Sequence, residues 1–219
     1  FFQSELAALL RQLKAEGMTV LRDAHEALTE GMEAGAPKRQ VVKELRAAYT
    51  ANGETAPGEH YLSLVHDNST LKAYGDGRWA QLTQPDVMRL RPILQYRTRH
   101  DDRVRVAHRA LDGKCFPVDH PFWHTWFPPN GHRCRCGVDS LSTKQVEDRG
   151  LVVETELPGK IEVPGHGLVD PMPPPGWRSS PALRASVDAA GDRARRAMDA
   201  SPLLRADPAG LVRDDAKRE

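Results

Sequence analysis

The stretch PFWHTWFPPNGHRCRC, residues 121–136, limits what this chain can build more than any other. Phe122, Trp123, Trp126 and Phe127 crowd together and are followed at once by Pro128-Pro129-Asn130-Gly131. Proline fixes φ and lacks an amide donor, and Asn-Gly favours a tight turn, so no long helix or central strand runs through here. Residues 114–135 therefore read as loop, dense in Pro and aromatics. The aromatics are either the core of a loop-rich domain or a platform on which bases stack beside arginines. Core is the favoured reading.

Cys134 and Cys136 follow that turn with one residue between them. Side chains alternate along an extended chain, so both sulfurs point to one side, as a tetrahedral zinc ion requires. His108 is the third candidate ligand, because the short helix predicted for it leads into the same loop. For a fourth, His100, Asp102, Cys115, His124 and His132 all come within reach. The competing reading makes the cysteines small buried residues and His108 a hydrogen-bonded packing residue. A redox role fits worse, since C-x-C is not C-x-x-C and no strand–helix context surrounds it. A nucleophilic pair of His108 with Cys115, Cys134 or Cys136 lacks a recognisable oxyanion hole or orienting third group. No Walker-type glycine loop is present. The expectation is a chain that is not an enzyme, with a metal-dependent or Cys/His-dependent enzyme as the alternative.

Three cysteines, an odd number, argue against a disulfide scaffold. No run of about 18 apolar residues marks a membrane span, and the charged, amphipathic start FFQSELAALLRQLKAEG does not read as a signal peptide. A reducing, intracellular assembly site is expected. Net charge is only +1 over 219 residues, so the whole chain is not a polybasic nucleic-acid binder. Yet Arg89 to Cys136 holds ten Lys or Arg against four Asp. Arg97, Arg99, Arg103, Arg105, Arg133 and Arg135 are the candidate contacts to DNA phosphate or an acidic protein surface. A stand-alone nucleic-acid-binding module is a further alternative. Local ion pairs on a solvated face are the plainer one.

Around this centre the fold class reads as α+β. Leu6, Leu9, Leu10, Leu13, Val20, Leu21, Ala24, Leu28 and Met32 recur at helical spacing, interrupted at Gly17, with a stop at Gly35. PKRQVVKELRAAYTANG restarts a helix with Pro37 early in it and ends at Asn52-Gly53. His60 to Leu82 predicts one long helix weakened near Gly75 and Gly77. ILQYRT, from Ile93 to Thr98, predicts a strand, and a short helix follows, capped by Asp101 or Asp102 and stopped at Gly113. CGVDSL reads as a return strand, and Ser142 with Gln145 is a capping-box signature for a helix closed by Gly150. Val152 to Trp177 is Pro/Gly-rich and predicted to lie extended along a surface. Four regions result: helices over 1–56, a loop-rich module with short strands over 57–150, a Pro-rich strap over 151–180, and a helical or disordered arm over 181–219.

One set of motifs carries a resemblance. It runs from Asn68 through Ala73-Tyr74-Gly75-x-Gly77-Arg78-Trp79 and Arg91-Pro92-x-x-x-Tyr96 to Asp102-Arg103-Val104-Arg105-x-x-His108-x-x-Leu111-Asp112-Gly113. It continues with Asp119-x-Pro121-Phe122-Trp123, Pro128-Pro129-Asn130-Gly131-x-x-Cys134-Arg135-Cys136 and Leu141-Ser142. Over about residues 60–150 the chain resembles the phage Mu protein F-like minor head proteins, also called head morphogenesis proteins. The resemblance implies a structural protein of a tailed-phage particle, present in few copies and required for head assembly or DNA delivery. Its implied partners are the portal protein, the major capsid protein and packaged double-stranded DNA, with no membrane. Its implied location is the phage head, assembled in the host cytoplasm.

Related members carry a cysteine at the position matching Arg105 and another at the position matching His108, ahead of H-x-x-CRC, a pattern that looks like a structural zinc knot. This chain keeps His108, Cys134 and Cys136 but has Arg105 in place of the first cysteine. Without metal, Asp102, Arg105, His108 and Asp112 are expected to form a polar network that pins the loop.

Overall fold

The computed structural model describes residues 18–178 and 180–200. Helical spacing of apolar residues builds the first layer from α1 (Met18–Glu33), α2 (Lys38–Ala51) and α3 (Glu59–Leu82). Val20, Ala24 and Leu28 of α1 pack with Val41, Val42, Leu45 and Tyr49 of α2 and with Leu62 of α3. The two stops fall as expected: Gly35 and Gly53 take φ of +64° and +75°, conformations glycine adopts without penalty. Pro37 is the residue flanking α2, not its first helical one. The earlier part of the expected first helix, with Leu6, Leu9, Leu10 and Leu13, lies outside the described residues.

The expected weakening of the long helix does not occur: α3 runs unbroken through Gly75 and Gly77. Gly75 is there for close approach. A Cβ on it would stand 2.8 Å from the Pro128 carbonyl oxygen and 3.1 Å from Pro129 Cδ, whereas one on Gly77 would meet nothing within 4 Å. The helix thus presses its bare backbone against the Pro-Pro-Asn-Gly loop.

After α4 (Pro85–Leu90) comes a three-stranded antiparallel sheet, with β1 (Ile93–Arg97) between β2 (Cys115–Pro117) and β3 (Gly137–Leu141). Ile93 pairs with Leu141 and Arg97 with Gly137. The helix predicted after Asp101 is a single turn, α5 (Val106–Arg109), flanked by Arg105 and not by an aspartate. Asp101 has other work: its carboxylate accepts from the Arg103 backbone N–H and pairs with the Arg135 guanidinium. Residues 114–135 are likewise more regular than expected, since they contain β2 and α6 (Phe122–Trp126). Helix α7 (Thr143–Asp148) opens with the expected capping box of Ser142 and Gln145.

The aromatic cluster is core. Phe116, Phe122 and Trp123 are fully buried, Trp126 and Phe127 nearly so. Phe122 stacks on Phe116 at 4.0 Å and on Trp126 at 5.0 Å, and Trp79 meets Phe127 edge-on at 5.1 Å. No face is left for a nucleic-acid base. The strap is also more than an extended surface segment. It folds a hairpin of β4 (Ile161–Val163) and β5 (Gly167–Val169), and Trp126 Nε1 donates to the Pro171 carbonyl at 3.0 Å. Trp177 is buried, and Ser180 Oγ donates to the Trp123 and His124 carbonyls. Helix α8 (Pro181–Ala200) opens the arm, whose residues beyond 200 lie outside the described ones. The chain divides into two compact units, residues 1–182 and 183–219. The architecture is α+β, and no helix among the described residues is long and apolar enough to cross a membrane.

Candidate metal centre

Two segments of the chain converge here. The turn α5 carries His108, which is 5% exposed, and the irregular segment before β3 carries Cys134 and Cys136. The segment is not the strand that alternation assumed, yet both sulfurs face one imidazole. Cys136 Sγ lies 3.4 Å and Cys134 Sγ 3.7 Å from the same atom, His108 Nδ1. Zinc–sulfur and zinc–nitrogen bonds of about 2.3 and 2.1 Å at a tetrahedral angle set sulfur and nitrogen about 3.6 Å apart. Among the described residues, this is the one group of three or more donors, all within 4.8 Å of one another, that fits a metal ion. The donor set matches zinc in chemistry and in spacing. The same spacing serves a sulfur–nitrogen hydrogen bond, so the trio holds together in either state.

Asn130 Nδ2 donates to the Tyr96 hydroxyl at 3.1 Å, and both residues are buried. The two thiols influence each other in opposite directions. A hydrogen bond from Cys136 is the largest influence on Cys134 and holds its thiol at about 4, against the opposing effect of burial; His108 and Asn130 add to the lowering. The same bond, followed by burial, pushes Cys136 far above the ordinary thiol range. Cys134 is thus the more acidic of the pair. Burial raises the Tyr96 phenol, so it stays a donor.

The turn that presents the sulfurs is clamped from two further sides. Arg105 donates to the His132 carbonyl at 2.7 Å, with its guanidinium against Gly131. From α3, Asn68 Oδ1 accepts the Arg133 backbone N–H at 3.1 Å, and Asn68 Nδ2 lies 2.8 Å from His132 Nδ1. Arg133 has φ of +51°, an uncommon conformation for a side chain of its size, and these bonds hold it there. Asp67 bridges Arg133 and Lys38, tying the turn to the helical layer.

Of the residues proposed as a fourth ligand, His132 faces Asn68, His100 pairs with Asp112 at 2.8 Å, and Asp102 is exposed. Cys115 sits in a separate apolar cluster with Leu141 and Val146, and its thiol donates to Gly113. His124 is outside the trio as well. The expected network of Asp102, Arg105, His108 and Asp112 is divided instead: Asp112 serves Thr98 and His100, and Arg105 serves the turn. Four of the six candidate contact arginines have internal partners too. Arg105 and Arg133 clamp the turn, and Arg135 forks onto Asp101. Arg97 lies 3.7 Å from Asp139, while Arg99 and Arg103 are exposed and form no ion pair among the described residues. Tyr96, Asn130 and Asn68 were missed as site residues. Their one signal was a polar residue in an otherwise apolar or turn-forming context.

A model of the family described as phage Mu protein F-like protein matches residues 22–139, more than half of the chain and all three ligand candidates. The chain belongs to that family. It is 32% identical over 152 residues to the putative capsid assembly protein F of Escherichia phage Mu, covering 69% of this chain and 29% of that relative. It is 30% identical over 162 residues to the Mu-like prophage FluMu F protein of Haemophilus influenzae, covering 68% of this chain and 38% of that one. The chain thus spans well under half the length of these curated relatives. No solved structure matches it.

Proposed function

We propose that this chain belongs to a structural minor head protein of a tailed phage, acting in head morphogenesis near the portal. What carries the reading is family membership together with a relative named as a capsid assembly protein. The architecture suits such work. Cys134 is 3% exposed and set against His108, which favours a structural over a nucleophilic use. The side chains of His108, Cys134 and Cys136 would hold zinc, and zinc there would supply a cross-link between α5 and the turn before β3.

Arg97, Arg99 and Arg103 form the outward part of the basic segment, Arg97 beside Asp139 at 3.7 Å and the other two exposed, positioned to meet packaged DNA or an acidic portal or capsid surface. Reversing them to Glu tests this directly. Reduced incorporation into heads, or weaker and less salt-dependent DNA association, is the expected outcome. Wild-type assembly and DNA delivery in the triple variant would sink the contact reading. For the cross-link, elemental mass spectrometry on purified protein should give about one zinc per chain, lost in His108→Ala.

A further inference from the structure

We propose that Arg78 and Arg91 guard the open edge of the three-stranded sheet, keeping β3 from pairing with the β3 of a second copy of this chain. The guard depends neither on zinc nor on assembly into a head.

The two edges of the sheet are closed in different ways. Along β2 the strap does it: Val153 bridges Cys115, and the Glu154 N–H donates to the Cys115 carbonyl at 2.8 Å. Beyond β3 there is no further strand among the described residues. The register shows which groups of β3 face outward. The Tyr96 N–H and carbonyl both bond toward β2, to the Lys114 carbonyl at 2.9 Å and the Gly113 N–H at 2.8 Å. Val138 lies opposite Tyr96, so its own N–H and carbonyl point away from β1. Ser140, two residues on, does the same. Such a row is a template on which another strand can add.

Here guanidinium groups hold that row. Arg78, on α3, donates from Nη2 to the Val138 carbonyl at 3.3 Å and from Nη1 to Gln81 Oε1 at 2.8 Å. Arg91, just after α4, donates to the Ser140 carbonyl and, from Nε, to the Ser140 hydroxyl at 2.9 Å. Both outward carbonyls are thereby taken, and the two side chains lie where an added strand would have to sit.

A second copy is the strand this edge is protected against. Antiparallel pairing of β3 with itself sets Val138 opposite the partner copy's Ser140 and Ser140 opposite its Val138, two hydrogen-bonded pairs about a twofold axis. The same register sets Asp139, which is exposed, directly against its own counterpart. Like charges so placed repel. A foreign strand need not carry an acid there, whereas a second copy always does. Asp139 is thus the third part of the guard.

The test uses the full chain carrying Arg78→Ala, Arg91→Ala and Asp139→Asn together. In sedimentation velocity this variant is expected to associate at concentrations about 10-fold below those wild type requires. Adding Ser140→Pro should abolish the gain, because it removes an outward N–H and no bond to β1. No gain in the triple variant overturns the guard, and so does a gain that Ser140→Pro leaves in place. Should either variant fail to fold, Asp139→Cys decides. Residues opposite each other in a non-hydrogen-bonded pair have Cα atoms about 4.5 Å apart, within disulfide range. Diamide should therefore link chains carrying Asp139→Cys and Arg78→Ala about 10-fold faster than chains carrying Asp139→Cys alone. Equal rates overturn the guard.

Discussion

Glycines 75 and 77 lie two residues apart on α3, and alanine should act on them with opposite sign. In an exposed helix interior, Gly→Ala gains about 1 kcal/mol of helix propensity. Gly77 meets nothing within 4 Å, so Gly77→Ala should show that gain in full. At Gly75 the added carbon would sit 2.8 Å from the Pro128 carbonyl oxygen, a distance real Cβ atoms essentially never show. The obstacle is backbone, so no rotamer change relieves it. Either α3 or the proline loop must shift, and overpacking of this kind costs about 1–3 kcal/mol. Subtracting the propensity gain leaves Gly75→Ala destabilised by about 1 kcal/mol and the two variants about 2 kcal/mol apart. Urea unfolding should separate their midpoints by close to 1 M, taking a slope of about 2 kcal/mol per M. Because the displaced loop leads directly into Cys134 and Cys136, Gly75→Ala should also weaken zinc retention, and Gly77→Ala should not. Gly75→Ala at least as stable as Gly77→Ala would refute the close-approach reasoning.

Other consequences are equally direct. Cys134→Ser or His108→Ala should lower the melting temperature of zinc-supplied protein by roughly 10 °C, while chelator-treated wild type and variant converge. Burial alone would raise the Asp67 carboxyl, but Lys38 first and then Arg133 outweigh it and hold the group below its ordinary 3.8. A depressed carboxyl adds stability that is complete above that value and fades as pH falls through the folded-state value. In metal-free protein, Asp67→Asn should therefore be less stable at pH 7 and lose less on acidification below 3.8, as followed by circular dichroism; parallel acid curves would contradict this. Trp126→Phe leaves the Pro171 carbonyl without its donor and should destabilise by about 1–3 kcal/mol, with faster proteolytic cleavage in the strap as the second readout.

The helical layer was legible because its spacing is long and regular, from Val20 through Leu28 and from Val41 through Tyr49. Gly75 misled for a physical reason: glycine weakens an isolated helix, but here its missing side chain is what packing requires. Elements within 114–135 escaped because they are short and draw on distant partners; Cys115–Pro117 is a strand only through its pairing with β1. The strap looked extended because proline content reports on local chain stiffness and says nothing of the buried indole N–H that meets Pro171. His108, Cys134 and Cys136 were visible as a ligand set from residue type and spacing. The buried Asn130–Tyr96 hydrogen bond was not, since Tyr96 reads as an ordinary strand aromatic and Asn130 as an ordinary turn residue. The basic segment was visible as composition, but composition could not separate Arg135, committed to Asp101, from Arg99, which faces solvent.

The pairing of β1 with β3 has a consequence for assembly of the sheet itself. Strand β3 begins immediately after Cys136, with Gly137 opposite Arg97 and Val138 opposite Tyr96. Sliding it by one residue would turn Val138 away from the aromatic core, turn Leu141 away from Cys115 and Val146 on the opposite face, and carry Cys136 away from His108. The sulfur site therefore proof-reads the strand alignment. A chain that pairs one residue out has nothing to close, and once the site has closed only one alignment remains open to it.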